Sequence, residues 1–162
     1  MTAPARTARR ADAAADHESL RLWLRLFTCT TMIERHVGSA LKRQFASSLP
    51  RFDLLSQLDR APDGLRMTEL SERILTTGGN VTWLVRALEK EGLVSRRAAT
   101  TDRRAAIVRL TPLGRRRFSA MAAEHEQWIV ALFSSLSATD RRAMYAALGV
   151  VKQHFRPSRT SE

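Results

Sequence analysis

The sequence predicts a mostly α-helical fold carrying one small β-hairpin, and three consecutive signals between Thr76 and Thr111 predict it. The first is a short amphipathic helix: Val81, Leu84, Val85 and Leu88 recur at i, i+3, i+4 and i+7, so one face is buried. Gly78-Gly79-Asn80 marks its start and Gly92 its stop, glycine being the residue that tolerates the left-handed conformation after a last turn. The second signal is a pair of alternating runs, Leu93 to Arg97 and Ala106 to Leu110. The third is the segment between them, Ala98 to Ala105, which has turn chemistry and carries Asp102-Arg103-Arg104. A helix leading straight into an arginine-tipped hairpin predicts a winged helix-turn-helix. Long helical patterns before and after it predict flanking N- and C-terminal dimerisation helices.

Charge points the same way. The chain has 162 residues, enough for one domain with a dimerisation arm, and a formal net charge of +11. The stretch from Leu93 to Phe118 alone holds eight arginines against one acid, Asp102. A basic run of this kind suits a polyanion, because cations near phosphates release condensed counterions; a solvated basic face is the plainer reading. One cysteine excludes an internal disulfide framework and fits a reducing compartment. No apolar run reaches the roughly 18 to 20 residues of a membrane helix, and the N-terminus lacks the apolar core of a secretory signal. The expected location is the cytoplasm.

The elements follow in order. Residues 1–17 are poor in large apolar side chains and are expected to form a loose tail. Residues 18–47 form a dimerisation and effector helix. Leu20, Trp23, Leu24, Phe27, Thr31, Val37, Leu41 and Phe45 make one stripe of it, with Leu22, Leu26, Cys29, Ile33 and Ala40 beside it. An apolar surface this wide has to be covered on two sides, by the chain's own domain and by a partner. Residues 48–110 form the winged module. Pro50 opens its first helix, with Phe52, Leu54, Leu55 and Leu58 as core positions. Ala61-Pro62-Asp63-Gly64 is a turn, and Arg66-Met67 suggests a very short strand. Thr68 is expected to cap the next helix, Glu69 to Leu75, whose core face is Leu70 and Ile74. A tight turn at Thr76 to Gly79 then leads into the reading helix. Residues 111–155 form C-terminal dimerisation helices: Thr111 caps and Pro112 starts one reaching about Leu136, and Ser137 caps a last one with Met144, Leu148, Val151 and Phe155 as its stripe. Residues 156–162 are a polar tail.

With that order in place, the sequence resembles the MarR (multiple antibiotic resistance regulator) family of winged-helix repressors over about residues 20 to 155. The carriers are NVTWLVRALEKEGLVSR at Asn80 to Arg96, DRRAAIVRLTPLG at Asp102 to Gly114 and LPRFDLLSQL at Leu49 to Leu58. The resemblance implies a homodimer held by the first and last helices, a palindromic operator, and repression relieved by a small molecule. One position departs from it: Trp83 stands where many relatives carry a small or basic residue, so base preference does not transfer.

On the reading helix, Thr82, Trp83 and Arg86 face away from the core, with Thr77 and Asn80 at its start. Arginine bonds guanine bidentately in the major groove, threonine meets a phosphate or a thymine methyl, and tryptophan offers an apolar edge. The alternative is a Trp83 packed inside and a solvated Arg86. Arg103 is expected to enter an A·T-rich minor groove, where a weakly hydrated guanidinium meets enhanced negative potential. Asp102 should orient the wing, Arg104 pair with it or touch a phosphate, and Arg96 and Arg97 serve phosphates. The resemblance further implies an effector pocket between the first two helices, the fifth helix and the reading module. Its candidates are Arg25, Cys29, Met32 and His36 on the first helix and Arg51, Phe52 and Leu55 on the second. These suit an aromatic carboxylate or an aromatic acyl-CoA. For His36, Trp128 and His125, interface or core packing is the simpler role.

Cys29 opens an alternative, since some members of the family sense peroxides through a first-helix cysteine. Its neighbourhood is mixed, and a buried structural thiol is the plainer reading. An enzyme is not expected: the four histidines are scattered, and no Gly-rich phosphate loop, nucleophile elbow, metal motif or cofactor motif is present. A membrane-surface protein is not expected either, because the basic run lies on a hairpin.

Overall fold

The structure, a computed structural model, describes residues 3–74, 81–98 and 106–155, with side chains for 17–74, 81–97 and 106–155. The element order is α1 (Ala3–Phe45), α2 (Leu49–Asp59), β1 (Leu65–Arg66), α3 (Met67–Arg73), α4 (Val81–Lys90), β2 (Val94–Ala98), β3 (Ala106–Leu110), α5 (Pro112–Leu132) and α6 (Ala138–Gln153). Contacts divide the chain into two compact units, Met1–Ala122 and Ala123–Glu162, with the division inside α5.

α1 begins at Ala3, not near Glu18 where a loose tail was expected to end. Helix propensity outweighs the lack of large apolar side chains there. Alanine is the best helix former, arginine is close behind, and Pro4 falls in the first turn, where proline is tolerated. α1 joins the core of the first unit only near its C-terminal end, through Val37, Ala40 and Leu41. It stops at Ala46, which holds a left-handed φ of 49°, while the Ser47 N–H donates to the Leu41 carbonyl at 3.2 Å.

The rest of that core comes from Leu54, Leu55 and Leu58 of α2, Leu70 of α3, Leu84, Val85 and Leu88 of α4, Leu65, Val94 and Val108 of the sheet, Leu93 just before β2, and Phe118 and Met121 of α5. The sheet is three-stranded and antiparallel, in the order β1-β3-β2. Val94 pairs with Leu110 and Arg97 with Ile107 in the hairpin, and Leu65 pairs with Val108. The short strand anticipated at Arg66-Met67 is therefore real, shifted by one residue.

α3 is not capped by Thr68 but starts earlier, at Met67 after Arg66. Glu69 reaches back to accept the Arg66 N–H at 2.7 Å, and that contact at the third helical position outweighs the hydroxyl of Thr68. In the second unit, Ser137 caps α6 as its sequence suggests, its hydroxyl accepting the Asp140 N–H at 3.1 Å. His125 and Trp128 lie edge to face with centroids 6.4 Å apart, and both are half-buried. Burial lowers the His125 pKa from its ordinary value.

Candidate nucleic-acid interface

The reading helix α4 is split cleanly by environment. Leu84, Val85 and Leu88 are buried, while Thr82, Trp83, Arg86 and Lys90 are exposed, Trp83 by 65 %. Trp83 therefore does not pack inside. Thr77 and Asn80 lie outside the described residues, as do Asp102, Arg103 and Arg104 at the wing tip.

Three contacts fix α4 relative to the hairpin and the body. Its end is a Schellman turn: the Leu93 N–H donates to the Leu88 carbonyl and the Gly92 N–H to the Glu89 carbonyl, each at 2.9 Å. Gly92 holds the positive φ of 71° that this turn requires, as its sequence position suggests. Glu89 accepts the Nε–H of Arg96 at 2.9 Å, joining α4 to β2, and Glu91 pairs with Arg51 of α2.

Leu93 is where the pieces converge. The Thr111 hydroxyl donates to the Gly92 carbonyl at 2.6 Å and accepts the Gly114 N–H at 3.0 Å, so one side chain both clasps the end of α4 and caps α5. The Thr111 N–H reaches the Leu93 carbonyl at 3.0 Å. A Cβ on Gly114 would stand 1.9 Å from that same carbonyl oxygen, so only glycine fits where α5 crosses it. Reading helix, wing root and α5 are thereby held in one register.

The arginine-rich stretch serves two purposes. Arg96 is tied to Glu89, Arg109 donates to the Asp63 carbonyl at 2.6 Å, Arg115 pairs with Asp59 at 3.0 Å, and Arg117 donates to the Phe45 carbonyl at 2.6 Å. These four build the module. Arg97, on the opposite face of β2 from Arg96, and Arg116 are exposed. The expectation that Arg96 serves a phosphate thus meets a residue already engaged by an internal carboxylate. Sequence reasoning missed Glu89, Glu91 and Gly114 as positioning residues. Only the helix-stop signal at Gly92 hinted at this junction.

Comparison with known proteins bears on this geometry. The profile of the MarR family matches residues 48–106. The HTH-type transcriptional repressor YetL of Bacillus subtilis is 31% identical over 83% of this chain and 80% of its own length. The chain belongs to the MarR family. A second relative, the uncharacterized HTH-type transcriptional regulator YdgJ of Bacillus subtilis, is 28% identical over 76% of this chain and 74% of its own length. Among solved structures, a MarR family transcriptional regulator from Silicibacter pomeroyi is 29% identical with a TM-score of 0.76, covering 88% of this chain and 98% of its own. Sco3205 of Streptomyces coelicolor, a MarR regulator solved in complex with DNA, is 26% identical with a TM-score of 0.77, covering 88% and 90%. As a MarR-family chain, this protein is a transcriptional regulator of winged helix-turn-helix fold.

The candidate effector residues of this MarR chain are not gathered into one cavity. Arg25 and Cys29 line a shallow groove on the outer side of α1, together with Arg21 and Thr28. Cys29 is exposed, which corrects the expectation of a buried structural thiol: the wide apolar surface of α1 is left uncovered at that height in the single chain. Met32 and His36 are exposed as well. Phe52 packs on Phe118, ring centroids 5.5 Å apart. Arg51 and Leu55 line a separate cavity of about 290 Å³, walled also by Phe45, Glu91, Arg117 and Met121. The Nε of Arg51 is buried there with no hydrogen-bond partner among the described residues. Those residues include no group of three His, Cys, Asp or Glu side chains that could hold a metal ion, and no described helix is long and apolar enough to cross a membrane.

Proposed function

We propose that this chain is a ligand-responsive repressor that binds a palindromic operator as a homodimer in the cytoplasm. α4 enters the major groove, Arg103 of the wing enters the adjacent minor groove, and Arg97 and Arg104 meet phosphates. The observation that carries this reading is the split of α4, with Thr82, Trp83 and Arg86 turned to solvent from a helix whose other face is locked into the core. That Sco3205, of the same fold, is solved in complex with DNA supports DNA as the partner. The homodimer is supported by large apolar side chains left exposed on α1 and on α6.

The effector of this reading is an aromatic carboxylate. The cavity beside Arg51 lies at the lower end of the roughly 300 to 1,000 Å³ usual for ligand pockets, which suits a small acid and is too small to enclose an acyl-CoA. A carboxylate there would satisfy the buried Nε of Arg51 with a charge-assisted bond.

Two measurements test the proposal. Arg103→Ala is expected to weaken binding to a selected operator by more than about ten-fold while the dimer stays intact, on the scale of one lost charged groove contact; wild-type affinity in that titration removes the wing from the interface. In a melting screen, an aromatic acid at a hundred-fold excess over its Kd is expected to raise Tm by on the order of 5 to 10 °C. No shift across the aromatic acids refutes this effector class.

A further inference from the structure

We infer that Trp83 is a specificity-determining residue that reads the C5-methyl group of thymine. The inference rests on α4 lying in the major groove, as proposed above, and it names the chemical group that one side chain recognises there.

The first support is exposure. Between residues 48 and 110, Trp83 is the only large apolar side chain among the described residues that is exposed. Leu54, Leu55, Leu58, Leu65, Leu70, Leu84 and Leu88 of the same module are all buried. The exposed part of the indole is apolar area that a docked base edge could cover.

The second support is position. Trp83 is the third residue of α4, and residues near the start of a reading helix are those that meet base edges. Trp83, Arg86 and Lys90 recur at i, i+3 and i+7 on one stripe, opposite Leu84, Val85 and Leu88. Trp83 thus reaches the floor of the groove, while Lys90 is placed for the phosphate rim.

The third support is chemistry. The indole is a flat apolar surface with a single N–H donor and no acceptor. Of the four natural bases, only thymine shows a methyl group in the major groove, and its neighbouring O4 is an acceptor. A guanine edge could accept the indole N–H but offers no methyl group to the ring face, and the cytosine amino group would find no acceptor on the indole. Arg86, about 4.5 Å further along the axis, suits a guanine. The half-site should therefore place a thymine about one to two base pairs from a guanine, given the 3.4 Å spacing of bases.

Uracil substitution is the test, because it deletes the methyl group and preserves pairing. Selection from a randomised duplex pool supplies the preferred site, and each thymine in its half-sites is then replaced singly by deoxyuridine. For the wild-type protein, one symmetric pair of positions should lose about four-fold affinity per methyl removed, the worth of one buried methyl-sized group. Trp83→Ala should bind the thymine site more weakly than wild type and no longer distinguish uracil, with an unchanged melting temperature showing that it is folded. Trp83→Phe, which keeps a ring, should retain the methyl preference. Uracil tolerated at every position by wild type, or a uracil penalty that persists in Trp83→Ala, overturns the inference. A protein that selects no sequence at all overturns the proposed function with it, whereas selection without a methyl effect removes the role of Trp83 alone.

Discussion

Arginines of the same stretch divide by what lies within reach of their side chains. Arg96 has Glu89 at 2.9 Å across the α4–β2 junction, whereas Arg86 is exposed on the outer face of α4. Their substitutions should therefore differ in kind. Arg86→Ala is expected to cost about ten-fold or more in affinity for a selected site and to relax preference at one base pair, a good bidentate contact being worth roughly 1–3 kcal/mol of discrimination. Arg96→Ala should lower affinity by a similar factor on all sequences and leave preference unchanged, since it loosens the wing and not a base contact. Titrations against single-base operator variants separate the two patterns. His125 gives a pH prediction at the same scale. Burial holds its pKa below the unfolded value, so the fold favours the neutral ring. The stability this contributes is complete above the ordinary histidine range and is lost as pH falls through the lowered folded value. The urea midpoint should accordingly fall on going from pH 8 to pH 5, and His125→Gln should flatten that fall. An equal slope in both proteins would show that other groups govern it.

Local signals made most elements legible. Thr111-Pro112 and Ser137 mark the starts of α5 and α6, because caps and first-turn prolines act within four residues and need no tertiary knowledge. Gly92 marks the end of α4 for the same reason. What escaped the sequence is long-range. Nothing local tells that Arg109 binds the Asp63 carbonyl or that the carbonyl of Leu93 presses on Gly114. The basic run therefore read as one patch, although half of it is structural. The candidate site was legible on α4 through its periodicity, whereas the effector candidates were tied together by resemblance alone and fall in different places. α1 ends at Phe45, where its helical pattern stops, although Ala46 and not a glycine takes the left-handed conformation that follows. That conformation costs a non-glycine residue roughly 1–2 kcal/mol. Ala46→Gly should therefore raise stability by about 0.5–1 kcal/mol after the extra unfolded-state entropy of glycine is set against it. A lowered denaturation midpoint would contradict the reading of this turn.

The two compact units each leave an apolar face without cover. On α1, Leu20, Trp23, Leu24 and Phe27 are exposed, with Trp23 stacked on Phe27 at 5.9 Å. On α6, where no residue is buried, Met144, Tyr145, Leu148 and Val151 are exposed, as is Phe155 just beyond its end. The N-terminal part of the α1 stripe and the α6 stripe are thus exposed in the single chain although their spacing is that of an interior, whereas Val37 and Leu41 further along α1 are buried. Monomers seldom leave contiguous apolar patches larger than a few hundred Å² in water. In the proposed homodimer a second copy would cover such faces in a closed two-fold assembly, which a palindromic operator would match half-site for half-site. The expected outcome is a dimer in sedimentation at micromolar concentration. Leu24→Glu with Phe27→Glu should shift it toward monomer, since each glutamate would carry its charge into an apolar contact. The same variant should bind a selected palindrome more than about ten-fold more weakly than wild type, because one half-site no longer positions the second protein copy. It should still bind non-specific DNA with a salt slope reduced to about half, each phosphate contact contributing about −0.9 to that slope. A variant that remains dimeric would move the interface away from α1, and a monomer that binds the palindrome as tightly as wild type would detach operator recognition from dimerisation.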